Sequence, residues 1–117
     1  MTDSRLQLMV QAISNKKGFH ISALDLRKLL GFVDYLVVAE GSSERHLQTL
    51  CEEIIQEMER SGARLWHQEG AKGGLWAVLD FGDIMVHLFG PELRELYRLE
   101  SLWSQAELID LKSGEQP

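Results

Sequence analysis

Residues 75–90, LWAVLDFGDIMVHLFG, constrain the fold more than any other stretch of the chain. Two runs rich in Val, Leu, Ile and aromatic residues flank Gly82-Asp83, a pair suited to the two-residue turn of a β-hairpin. With that turn, Phe81 faces Ile84, Asp80 faces Met85, Leu79 faces Val86, Val78 faces His87 and Ala77 faces Leu88. Successive strand side chains point to opposite sides. One face therefore carries Leu75, Ala77, Leu79, Phe81, Ile84, Val86 and Leu88, all apolar, and is predicted to face the core. The other carries Trp76, Val78, Asp80, Met85, His87 and Phe89. A solvated face would be richer in Lys, Glu and Thr, and a plain core face would not include Asp and His. Three readings stay open: a face covered by one of the chain's own helices, a surface for another macromolecule, or a catalytic site. Trp and Met are enriched where proteins meet, and Trp is a frequent energetic anchor there.

The remaining elements must build a body behind this hairpin. Leu6, Met9, Val10 and Ile13 fall at helical spacing, with Asp3 or Ser4 as the cap and Gly18 as the stop. FHISALDL alternates Phe19, Ile21 and Ala23 against His20, Ser22 and Leu24, as a strand does. Lys28 to Phe32 read as a short connection. DYLVVAEG is a nearly continuous apolar run, which suits a strand covered on both faces. Leu47, Leu50, Cys51, Ile54, Ile55 and Met58 mark the clearest amphipathic helix. Ser42 or Ser43 is placed to cap it and Gly62 to end it. ARLWHQEG reads as a third strand before the hairpin. Pro91 suits the first turn of a last helix through Leu93, Leu96, Tyr97, Leu99, Leu102 and Trp103. The order is α-β-β-α-β-β-β-α. It predicts an α/β (α+β) domain over residues 1–111, built on a single mixed sheet of about five strands flanked by helices. Residues 112–117 are expected to be a disordered tail.

Composition narrows the function classes. The 117 residues carry a formal net charge of -6, which disfavours nonspecific binding to nucleic-acid backbones and favours a basic partner. The one cysteine, Cys51, excludes an internal disulfide and a four-cysteine metal site. It is expected to be an inert thiol. No run of 18 apolar residues is present, and the N-terminal stretch lacks the basic-then-apolar order of a secretion signal, so the cytoplasm is the expected compartment.

Few motifs carry chemistry. Asp80-Phe81-Gly82 spells the metal-binding tripeptide of kinases, but the glycine-rich loop and strand lysine of that fold are missing. Gly41-Ser42, between a strand and a helix, resembles a phosphate-cradling turn, and nucleotidyltransferases combine such a turn with paired acids. Asp80 and Asp83 are the pair on offer, although Asp83 belongs to the turn; a helix cap explains GSSERH more simply. His20, His46, His67 and His87 show no metal-ligand spacing. Arg45 and His46 read as solvated side chains. Glu69 is placed to pair with a cation or cap a turn.

Taken together, ALDL (23–26), DYLVVAEGSSERH (34–46), Glu69-Gly70 with Trp76 seven residues after Glu69, LDFGDIMVH (79–87) and R..YRLESLW (94–103) resemble the ribosomal silencing factor, or Iojap-like, family. The resemblance covers about His20 to Trp103. It implies a nucleotidyltransferase-like fold without the catalytic set, no cofactor, no enzymatic activity, and frequent homodimers. It also implies binding to the large ribosomal subunit, through its basic ribosomal protein fourteen, and a block of subunit joining that lowers translation when nutrients are scarce. By the same resemblance the partner-binding residues are Trp76, Asp80, Met85 and His87, with Arg94, Tyr97 and Glu100 from the last helix; Asp80, Asp83 and Glu100 are expected to pair with Arg or Lys of the basic partner. Ala77 stands where bulkier aliphatics are common in the family, a change confined to the core face. The competing reading is a nucleotidyltransferase-like enzyme using Mg²⁺ and a nucleotide.

Overall fold

A computed structural model describes residues 4–28, 33–70, 76–90 and 107–108. The elements are α1 (Ser4–Asn15), β1 (Phe19–Asp25), β2 (Tyr35–Glu40), α2 (Glu44–Arg60), β3 (His67–Gly70), β4 (Trp76–Asp80), β5 (Ile84–Phe89) and β6 (Glu107–Leu108). The six strands form one mixed sheet in the order β3-β4-β5-β2-β1-β6. Only β2 and β5 run parallel; every other neighbouring pair is antiparallel. β6 was not expected. Two residues are too few to show an alternating pattern, and it pairs only Leu24 with Leu108 and Asp25 with Glu107. The expected helix after Pro91, the connection at 29–32 and the tail lie outside the described residues.

The helices α1 and α2 pack on one side of the sheet. Leu6, Met9, Val10 and Ile13 from α1 meet Leu47, Leu50, Cys51, Ile54 and Met58 from α2 over Ala77, Leu79, Ile84, Val86 and Leu88. β2 serves both sides of the sheet, as its unbroken apolar run requires. Tyr35, Val37 and Ala39 join the helical core. Leu36 and Val38 join a second cluster with Leu24, Leu26, Val33 and Phe89 on the other side. Cys51 belongs to the helical core, and removal from water pushes its thiol up to about 12, a thiol that does not ionise near neutral pH.

The two helices end by the same device with different residues. After α2, the Ala63 amide returns to the Met58 carbonyl at 2.9 Å and Gly62 takes φ +93°, which glycine adopts at no steric cost. After α1, the Gly18 amide returns to the Ile13 carbonyl at 2.8 Å, but the left-handed residue is Lys17, at φ 69°. Gly18 is needed for space instead. A Cβ there would lie 2.3 Å from Ile13 Cγ2 and 3.2 Å from Leu50 Cδ2.

Candidate functional site

The β4–β5 hairpin sets the site, and its register is the one its alternation predicts. Trp76 pairs with Phe89, Ala77 with Leu88, Val78 with His87, Leu79 with Val86 and Asp80 with Met85. The Phe81 amide closes the turn onto the Ile84 carbonyl at 2.9 Å. Gly82 takes φ +95° while Asp83 stays at negative φ, the pattern of a turn whose first central residue is glycine. Asp80 Oδ1 accepts the Gly82 amide at 2.8 Å, so this carboxylate braces the turn it precedes.

Paired strand residues share a face, which extends the outer face of the hairpin across the sheet. Beside Trp76, Val78, Asp80, Met85, His87 and Phe89 lie Leu36, Val38 and Glu40 of β2 and His67 and Glu69 of β3. Burial is graded along this face. Phe89, Val38 and Leu36 are buried; Val78, Asp80, Met85 and His87 are half-buried; Trp76 is 41% exposed, and all of β3 is exposed. The central part is therefore interior, and the margin at β3 and β4 is open.

Three rings cross that boundary. Trp76 stacks on Phe89 at 5.9 Å between centroids and 9° between planes, and on His87 at 6.1 Å and 27°. His87 in turn stacks on Phe89 at 6.1 Å and 22°. Trp76 Nε1 donates to His87 Nδ1 at 3.4 Å, a long bond that requires Nδ1 to be unprotonated. Burial holds the His87 pKa below the usual imidazole value, which also favours the neutral ring. The stack fixes the indole against an interior wall while part of it faces outward. On β3, His67 Nε2 and Glu69 Oε2 lie 2.9 Å apart, which answers how Glu69 is used.

Of the residues named from sequence, Trp76, Asp80, Met85 and His87 are brought together on this face. Asp83 is not among them. It sits in the turn, where Arg5 of α1 grips its carboxylate at 3.0 and 2.6 Å. Its carbonyl accepts the amides of Asp34 and Tyr35 at 2.8 and 3.1 Å, tying the hairpin tip to the start of β2. Arg94, Tyr97 and Glu100 lie outside the described residues. Sequence reasoning missed Trp66. It is 73% exposed, with its indole close to the Gly82 turn, where a Cβ on Gly82 would come within 3.1 Å of the ring. The available signal was an indole followed directly by the polar His67 and Gln68 in RLWHQ.

The resemblance to a phosphate-cradling turn does not carry through. The Gly41 amide donates to the Phe89 carbonyl at 2.9 Å, and the Ser42 amide donates to His46 Nδ1 at 2.8 Å. Both amides that would meet a phosphate are engaged within the chain. Ser43, not Ser42, caps α2, accepting the His46 amide at 3.0 Å. His46 departs from the solvated side chain expected of it. With Nδ1 accepting, its proton is on Nε2, which donates to the Lys16 carbonyl at 2.7 Å and staples the end of α1 to the start of α2. The offered acidic pair fares no better, since Asp83 is held by Arg5 and Asp80 by the turn. Among the described residues, no group of three or more His, Cys, Asp or Glu is placed to hold a metal ion, and no helix is long and apolar enough to cross a membrane.

Comparison with known proteins agrees with this fold. The profile of the family described as "Ribosomal silencing factor during starvation" matches residues 2–117. The chain is 32% identical over 111 residues to the ribosomal silencing factor RsfS of Bacillus subtilis, covering 95% of this chain and 94% of that protein. It is 31% identical over 107 residues to the RsfS of Halalkalibacterium halodurans, with 92% of each covered. A crystal structure of a protein from Chromobacterium violaceum superposes with a TM-score of 0.83 at 31% identity, covering 86% of this chain and 84% of that one. On a match that spans nearly every residue, the chain belongs to the ribosomal silencing factor family.

Proposed function

We propose that the protein binds the large ribosomal subunit through the open margin of the β4–β5 face and blocks joining of the small subunit, repressing translation under nutrient limitation. The contact is a basic ribosomal protein, number fourteen of the large subunit. The observation that carries this reading is the Trp76 indole, 41% exposed yet held flat by His87 and Phe89. A rigid, half-presented aromatic loses little freedom when a partner covers it. With Trp76 41% exposed, covering it removes about 60–100 Å² from water, a gain of about 1.5–2.5 kcal/mol at roughly 25 cal/mol per Å². Met85 adds adaptable apolar surface beside it. Asp80, Glu69 and the net charge of -6 suit a cationic partner, speeding encounter and setting register. The family resemblance assigns Arg94, Tyr97 and Glu100 to the partner contact as well. The mechanism is occlusion by a folded body in the cytoplasm, with no bond made or broken. The engaged amides of Gly41 and Ser42 and the Arg5-bound Asp83 weigh against nucleotide and Mg²⁺ chemistry.

Sedimentation of ribosomal subunits through sucrose tests the proposal. The protein is expected to travel with free large subunits, to be absent from assembled ribosomes, and to raise the fraction of unjoined subunits. Trp76→Ala and Met85→Ala together should abolish co-sedimentation while thermal melts stay close to the parent's. A doubly substituted protein that still travels with the subunit would move the contact elsewhere. A second copy of the chain could occupy the same face, as a homodimer. Light scattering at the concentrations used for sedimentation separates the two, because only a self-association face would convert dimer to monomer on Trp76→Ala.

A further inference from the structure

A second surface lies at the Trp76 end of the sheet, on the helical side. Lys16, Lys17 and Arg45 are exposed there, and none of them makes an ion pair among the described residues. That sets them apart from Arg5, Arg27 and Arg60, each of which is spent on a carboxylate of the same chain. The nearby acids are accounted for in part: Glu40 meets His20 Nδ1 at 3.1 Å, and Glu44 lies in the first turn of α2, where the helix dipole favours it.

The backbone of the α1–β1 turn is tied toward the end of β5: the Lys16 carbonyl accepts from His46, His46 Nδ1 accepts from the Ser42 amide, and the adjacent Gly41 amide donates to the carbonyl of Phe89, whose ring stacks on Trp76. His46 also fixes the α1–β1 turn against α2, so Lys16 and Lys17 are presented from a braced loop. Arg45 stands in the first turn of α2 beside Glu44, while Glu52, Glu53, Glu57 and Glu59 occupy its later turns and Arg60 its last. A molecule of net charge -6 thus presents three exposed cations at the Trp76 end of the sheet, on the side opposite the indole.

We infer that the α1–β1 turn and the first turn of α2 form a second contact, for the phosphodiester backbone of RNA, which Lys16, Lys17 and Arg45 engage when Trp76 is docked on its protein partner. The inference rests on the proposed binding to the large subunit, a particle of RNA and protein. A basic protein surface would reject this patch, whereas the phosphodiester backbone is its charge complement. Phosphate contacts of this kind position a complex without reading sequence.

The test compares two double charge reversals with equal change in net charge. Lys16→Glu/Lys17→Glu alters the proposed patch. Lys28→Glu/Arg64→Glu alters exposed cations after β1 and after α2, at the other end of the sheet. Affinity of each full-length protein for purified large subunits is measured by fluorescence anisotropy across a series of salt concentrations. Reversal at Lys16 and Lys17 is expected to weaken binding on the order of tenfold at low salt. It should also make the slope of log affinity against log salt shallower by about 1.4 to 1.8, the loss of two phosphate contacts. Reversal at Lys28 and Arg64 is expected to change neither by a comparable amount. Lys16→Gln/Lys17→Gln should reproduce the slope change with a smaller loss of affinity. Equal behaviour of the two reversed proteins overturns the inference and leaves the Trp76 contact standing, while tighter binding of Lys16→Glu/Lys17→Glu assigns the patch to a cationic protein and overturns it too. A parent protein that does not bind subunits at all removes both this inference and the function on which it rests.

Discussion

The two faces of the β4–β5 hairpin share one backbone and one register yet have separate work. On the inner face, Ala77, Leu79, Phe81, Ile84, Val86 and Leu88 are buried against α1 and α2. On the outer face burial falls away from Phe89, fully enclosed, through His87 and Met85 to Trp76. Alternation lets a strand pair stabilise the fold with every second side chain and leave the rest for the proposed recognition surface. The inner face tolerates little change because close packing leaves no slack. The outer margin is free to vary because its apolar area is not yet spent.

Substitutions on the two faces sharpen or break that contrast. The largest effect is expected on the inner side, where Leu79→Ala should cost about 2–5 kcal/mol of unfolding free energy in urea titrations, with affinity for the large subunit unchanged in the fraction that remains folded. A loss below about 1 kcal/mol would mean that the inner face is not the stabilising one. Trp76→Ala should do the reverse: subunit binding weaker by at least about thirtyfold, as for an anchor worth about 2 kcal/mol, and unfolding free energy changed by no more than about 1 kcal/mol. A thermal destabilisation matching that of Leu79→Ala would make Trp76 a core residue in practice. His46→Ala removes the staple between the helices and is expected to cost about 1–2 kcal/mol of unfolding free energy, with subunit binding weakened no more than by Lys16→Glu/Lys17→Glu.

The smallest effect is a pH dependence. Burial lowers the folded-state pKa of His87, so the unfolded chain binds the proton more readily. Stability from this residue is present in full above the ordinary imidazole range near pH 6.5 and is lost as pH falls from there through the depressed folded value. His87→Phe, which keeps a ring in the stack and removes the proton, should flatten the fall in melting temperature between pH 7.5 and 5. A parent and variant with parallel curves would show that His87 keeps the same pKa folded and unfolded.

What could be read from the sequence follows from the range of the forces involved. Alternation over residues 76–89 is local and strict, so the hairpin register and its two faces were legible. The same holds for β2, whose apolar run gives Val37 to one core and Val38 to the other, and for α2 with Gly62 at its end, although the sequence left its cap open between Ser42 and Ser43. Contacts between residues distant in the chain were not legible. Arg5 and Asp83 are 78 positions apart, and nothing local announces their pairing. His46 looks solvated until the end of α1 is placed against it. Gly18 was expected for its conformational freedom, but the crowding of Ile13 and Leu50 is what requires it. For the site, alternation told which side chains share a face but not where along that face burial ends, because that depends on β2 and β1 two strands away.

Phe89 never meets solvent, yet it is the ring on which Trp76 lies almost parallel. The attitude of the exposed indole is inherited from the packing of Leu24, Leu36 and Val38 behind that phenyl group. Mutations deep in this second cluster therefore reach the outside as a tilt of one aromatic plane, and a docking partner would sense interior disorder as poor fit before the fold itself gave way.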